Sequence, residues 1–153
     1  MNQSKVSQIV FSATYTVPPE QTTHQMFRVL PHASGSSDRM PDAMATGYLV
    51  AVLESMCAQE MQPHIDPVEQ TVFGFSAQCQ FRAPIPPGAL VHVDGQVICL
   101  SEDEVTFWVR AIDEQEIVCD GQISLRVVGR AVMATKIRRK CEAIQRRQLF
   151  ATA

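Results

Sequence analysis

Glu54 is the residue whose type and setting most clearly suggest chemistry. It is the single charge in the run Ala45–Ala58 (ATGYLVAVLESMCA). A carboxylate in apolar surroundings is costly unless it is paired or neutralised. One placed there suits general-base work on a water molecule. The structural alternative is a carboxylate paired with Arg82, Arg110 or Arg126 that takes part in no reaction. Gly74 is a second candidate, because it interrupts a stretch rich in β-formers, and strand glycines often mark a bulge or the close approach of another group. A third is the start of the helix that carries Glu54. Read as opening at Pro41, its first turn offers unpaired N–H groups able to hold an oxyanion. The five cysteines (Cys57, Cys79, Cys99, Cys119, Cys141) are odd in number and contain no CxxC pair. They therefore point to neither a zinc site nor a redox motif, and most read as small core hydrophobes in a reducing compartment.

Composition limits what such a site can belong to. A chain of 153 residues, 46% hydrophobic and 19% charged, has the length and balance of one globular domain spanning residues 1–153. No apolar run is long enough for a membrane span, and Met1–Val10 lacks a basic region followed by an apolar stretch, so a cytoplasmic protein without membrane contact is expected. The net charge of -3 hides an asymmetry. Residues 1–125 carry 5 Lys/Arg against 15 Asp/Glu, and residues 126–153 carry 8 against 1. A basic tail on an acidic body fits either a phosphate-bearing ligand, met by residues such as Arg130, Lys136, Arg138 and Lys140, or a solvated helix face. Aromatic residues do not interleave with these charges before Phe150, which argues against nucleic acid.

The elements that must position these residues are readable from periodicity. Lys5–Val17 supplies strand-type residues and closes at Pro18-Pro19. Ala33–Arg39 is small, polar and loop-like. A helix follows from Pro41 to Met61, apolar on nearly every face and so expected to be buried all round, with its stop near Gln62-Pro63. Gln70–Ala83 alternates, which puts Phe73, Phe75, Ala77, Cys79 and Phe81 together on a helix-facing side. Val91–Leu100 and Val105–Ile112 read as a hairpin over Ser101–Glu104, Ile117–Val128 as the last strand, and Ala131–Arg147 as a basic helix. The sum is an α+β layout, a long helix wrapped by a curved antiparallel sheet with a C-terminal helix.

Three stretches carry a family resemblance. These are Val17-Pro18-Pro19, Pro41–Cys57 (PDAMATGYLVAVLESMC) and Gly74–Gly88 (GFSAQCQFRAPIPPG). Together they resemble the fluoroacetyl-CoA thioesterase group of hot-dog proteins, over about Val17 to Lys140. The resemblance implies a hot-dog fold and a homodimer joined edge to edge, with active sites at the subunit interface. It implies hydrolysis of an acyl-CoA thioester with no metal and no cofactor beyond the CoA of the substrate. By position it implies a catalytic Thr46 and Glu54, a close-approach Gly74 and an arginine at Arg126; Phe81 and Met40 are further candidate substrate contacts. The family's catalytic histidine falls seven residues after the glycine, where this chain has Phe81. Phenylalanine can neither take nor give a proton, and neither His64 nor His92 is placed in the site by anything in the sequence.

Thr46 and Glu54 stand eight residues apart, about 12 Å along a helix axis and about 80° around it. One chain alone does not bring both to one carbonyl, whereas antiparallel helices across a dimer would. The alternative for Thr46 is a hydroxyl bonded to a carbonyl of its own helix. Two other functions stay open. One is a non-catalytic acyl-CoA binding module, favoured by Phe81. The other is a hot-dog hydratase or dehydratase, whose His with Asp, Glu or Asn is not matched by Asn2 or His32.

Overall fold

The computed structural model describes residues 3–30 and 40–151, with side chains through residue 148. The loop expected at Ala33–Arg39 lies outside the described residues. In chain order the elements are α1 (Gln3–Val6), β1 (Val10–Thr16), α2 (Thr23–Val29), α3 (Thr46–Met61), β2 (Gln70–Phe81), β3 (Leu90–Leu100), β4 (Glu104–Ile112), β5 (Ile117–Gly129) and α4 (Arg130–Ala151). The strands form one antiparallel sheet in the order β1-β3-β4-β5-β2. β1 and β2 are therefore its edges.

Strict alternation builds the centre of this sheet. Val105, Phe107, Val109 and Ala111 of β4 are fully buried, and the residues between them are not. Phe11 of β1 meets Phe107 edge to face, with ring centroids 6.1 Å apart. α3 lies across β2 and β5 and adds Leu49, Leu53, Cys57 and Met61, a four-residue spacing that keeps one stripe on the core. Fully burying a residue such as Leu53 contributes about 1.5–3 kcal/mol.

Four sequence expectations are corrected. The segment read as extended from Lys5 begins as the short α1, and its strand starts only at Val10. The helix read from Pro41 starts at Thr46. Extended backbone precedes it because tertiary partners take its hydrogen bonds: Thr23 N–H donates to the Ala43 carbonyl, Met44 N–H to the Ile85 carbonyl and Ala45 N–H to the Gln21 carbonyl. α3 is not buried all round, since Ala51, Ser55 and Gln59 are exposed and Val50, Val52 and Met56 only half-buried. Finally, most of the cysteines are not core residues: Cys57 and Cys119 are buried, but Cys79 is half-buried, and Cys99 and Cys141 fall on the exposed side of their elements. The short helix α2 had no counterpart among the expected elements.

Candidate active site

Glu54 and Gly74 meet. The Gly74 N–H donates to Glu54 Oε1 at 3.1 Å, and a methyl group added at Gly74 would overlap the Glu54 carboxylate. Only glycine admits this approach. The half-buried carboxylate has no ion-pair partner among the described residues. The structural alternative, a pair with Arg82, Arg110 or Arg126, is therefore not realised. Arg82 is held by Asp120 through two hydrogen bonds of 3.0 and 2.9 Å, and Arg110 stacks on Trp108. A carboxylate held by one backbone amide keeps its second oxygen available as an acceptor.

A β-bulge produces this meeting. Gly74 stands opposite Leu125 and Ser76 opposite Ser124, so Phe75 has no partner on β5. An extra residue shifts the side-chain alternation by one. Before the bulge the inward positions are Val72 and Gly74; after it they are Ala77, Cys79 and Phe81, opposite Ile123, Gly121 and Cys119. The single face expected to hold Phe73, Phe75, Ala77, Cys79 and Phe81 is thus split. Phe73 faces outward, opposite Arg126, and the Phe75 ring lies 3.8 Å from the Arg126 guanidinium. Nothing in the sequence marked the bulge except Gly74 itself.

Phe81 lines a cavity of about 320 Å³ with Met44, Thr46, Leu49 and Ile85. The backbone bond from Met44 to Ile85 closes one wall, and the Pro84–Gly88 turn, with Gly88 at φ 85°, carries the chain back toward β3. Thr46 opens α3 beside this cavity. It is exposed, and its hydroxyl has no partner among the described residues, so it does not bond back to its own helix. The structure therefore brings together Glu54 with Gly74 and, separately, Thr46 with Phe81. Within one chain the two pairs lie apart, because Gly74 and Phe81 are seven residues distant on a bulged strand, about 20 Å.

The remaining candidates lie elsewhere. Arg126 projects from the outer sheet face and pairs with Glu104 at 3.3 Å and Asp103 at 3.9 Å. Met40 is exposed, and its carbonyl lies 2.7 Å from His24 Nε2. His64 sits in the turn after α3, and His92 is exposed on β3. The Cys57 thiol, one turn from Glu54, is pushed up to about 12 by burial, which keeps it protonated and unsuited to nucleophilic attack. No group of three or more metal-ligating side chains occurs among the described residues.

Residues 29–131 match the family model described as fluoroacetyl-CoA-specific thioesterase. The chain belongs to that family. It is 25% identical over 133 residues to the fluoroacetyl-CoA thioesterase of Streptantibioticus cattleyicolor, covering 87% of this chain and 92% of the relative. Among solved structures, a fluoroacetyl-CoA thioesterase superposes with a TM-score of 0.78 at 23% identity, covering 87% of this chain and 95% of that one. A thioesterase superfamily member from Thermus thermophilus gives 0.76 at 17% identity, covering 91% and 95%. These likenesses establish the hot-dog fold for this thioesterase-family chain. Among its described residues, no helix is long and apolar enough to cross a membrane.

Proposed function

We propose that this chain hydrolyses an acyl-CoA thioester at a site completed by a second copy of itself. The observation that carries the reading is the Glu54 carboxylate, brought to the Gly74 amide by a bulge and left without a cation. Its relative in Streptantibioticus cattleyicolor is a fluoroacetyl-CoA thioesterase, which supports the substrate class. The second copy is supported by β2, an edge strand of 12 residues whose unpaired backbone is a template for pairing. Along it Phe75 and Phe81 are 47% and 42% exposed. Two β2 edges pairing antiparallel about a twofold axis would set the Gln70 end of one beside the Phe81 end of the other. Gly74 and Glu54 of one subunit would then approach the cavity of Thr46 and Phe81 in its partner.

In this site Glu54 takes a proton from water as its oxygen attacks the thioester carbonyl. Thr46 positions water or substrate, and backbone N–H groups at the start of α3 hold the tetrahedral oxyanion. Collapse breaks the carbon–sulfur bond, and the CoA thiolate leaves and takes up the proton as the free thiol. Attack by Glu54 itself, followed by hydrolysis of the anhydride, gives the same products. Thiol release from short, medium and aromatic acyl-CoAs by pure protein, with the solution mass measured alongside, tests the reading. Turnover by a dimer is expected; a monomer at micromolar concentration overturns the shared site.

Phe81 favours a second reading, a binding module without turnover, since the cavity wall offers an aromatic ring where the family keeps its base. Acyl-CoA binding without thiol release in the wild type would establish it. Under the hydrolytic reading, Phe81→His raises turnover of short acyl-CoAs and lowers preference for apolar chains. An unchanged profile would show Phe81 to be packing alone.

A further inference from the structure

α4 departs from the sheet beside the proposed site. Gly129 pairs with Gln70 at the start of β2, the Arg130 N–H donates to the Glu69 carbonyl at 2.9 Å, and Arg130 Nε donates to the Gln70 carbonyl at 2.8 Å. Beyond this root the helix gains little from packing. Val132 is 71% exposed and Ile144 55%, and none of its side chains joins the hydrophobic core. Helices in proteins owe most of their stability to a packed face, so this one is available to a ligand.

Its charges are sorted. Arg138 pairs with Glu142 at 4.0 Å, and Arg146 Nε bonds the Glu142 carbonyl. Lys136, Arg139 and Lys140 have no acidic partner among the described residues. These three cations share one open face of α4 with Val132, Thr135 and Ala143.

We propose that this face of α4 binds the 3′-phosphorylated ADP end of CoA, with Lys136, Arg139 and Lys140 on its phosphates and the adenine against Val132 and Ala143. This rests on the acyl-CoA reading above and names the part of the substrate that α4 holds. Three cations within little more than one turn suit a compact multivalent anion, and the body up to Leu125, with 5 basic against 15 acidic residues, offers such an anion no comparable place. Gln70, at the root of α4, is four residues from Gly74, about 13 Å along the strand, and Lys136 lies six residues past Arg130, about 9 Å further along the helix, so the pantetheine arm and diphosphate of an extended CoA have to span up to about 22 Å between them. In an antiparallel β2 pair the same root lies beside the partner's cavity.

The test uses adenosine 3′,5′-bisphosphate as probe in calorimetric titration, and steady-state kinetics with acyl-CoA and the matching acyl-pantetheine. The triple variant Lys136→Gln, Arg139→Gln, Lys140→Gln keeps good helix formers, which circular dichroism verifies; Arg138→Gln serves as control. The wild type and the control bind the probe, and the triple variant binds it about tenfold or more weakly. In the triple variant KM for acyl-CoA rises by a similar factor, kcat holds, and KM for acyl-pantetheine does not move. Equal binding of the probe by triple variant and wild type, or none by the wild type, overturns the assignment. So does binding to phosphatidylserine vesicles in place of the probe. If no acyl-CoA is cleaved while the probe result holds, the nucleotide site stands and hydrolysis falls.

Discussion

The β2–β5 ladder has two faces that treat charge in opposite ways. On the outer face every charge is engaged. Arg82 grips Asp120 with two hydrogen bonds, and Arg126 meets Glu104 and Asp103 while lying over Phe75. On the inner face the one nearby carboxylate, Glu54, has a single neutral donor, the Gly74 N–H. Two observations sharpen the contrast. The Arg82 hydrogen bonds hold the Asp120 carboxyl below its ordinary value of 3.8, which keeps it charged and a weak base. The inner face also keeps a mostly apolar cavity beside Thr46, which Arg82 lines as well. Paired charges hold strands together; a carboxylate left without a cation is available to a substrate.

Substitutions at matched positions test that contrast. The largest effect is expected at Glu54→Gln. The amide preserves size and hydrogen bonding but cannot accept the proton, so turnover falls by about 10²–10⁴-fold with the fold intact. Wild-type turnover in this variant would make Glu54 structural and remove the distinction between the faces.

Gly74→Ala comes next. The new methyl group meets the far end of a flexible side chain, so Glu54 swings aside and the fold yields little, on the order of 1 kcal/mol from the lost hydrogen bond. Activity falls more than stability, about tenfold or beyond, because displacing a reacting group by about 1 Å can cost 10²-fold. Thermal denaturation and turnover measured together check this. A large loss of stability with activity preserved would invert the assignment.

The smallest effect is expected on the outer face. Asp120→Asn leaves turnover unchanged and alters only the acid limb of stability. A carboxyl whose folded value is lowered contributes stability that is full above its ordinary value of 3.8 and is lost as pH falls through the folded value. Because the pair is solvent-exposed, the contribution is small. Denaturation midpoints between pH 2 and pH 5 should show a flatter profile in the variant; an unchanged profile would mean that the pair is inert.

Much of the molecule was legible in the residues. The β3–β4 hairpin, the last strand and the end of α3 at Met61 followed from alternation and proline placement, which act over a few residues. Glu54 stood out because one charge in an apolar run is costly wherever the run folds, and Gly74 because glycine weakens a strand unless something approaches it. The family pattern added Thr46 and the replacement at Phe81. Tertiary structure decided the rest, because its causes are distant in sequence. Partners at Gln21, Thr23 and Ile85 hold residues 43–45 extended and move the start of α3 to Thr46. An unpaired residue opposite β5 turns Phe73 outward and Phe81 inward, which alternation alone cannot show. Arg126 could have neutralised Glu54 on charge alone; it lies on the other side of the sheet, where strand register and not residue type chose its partners.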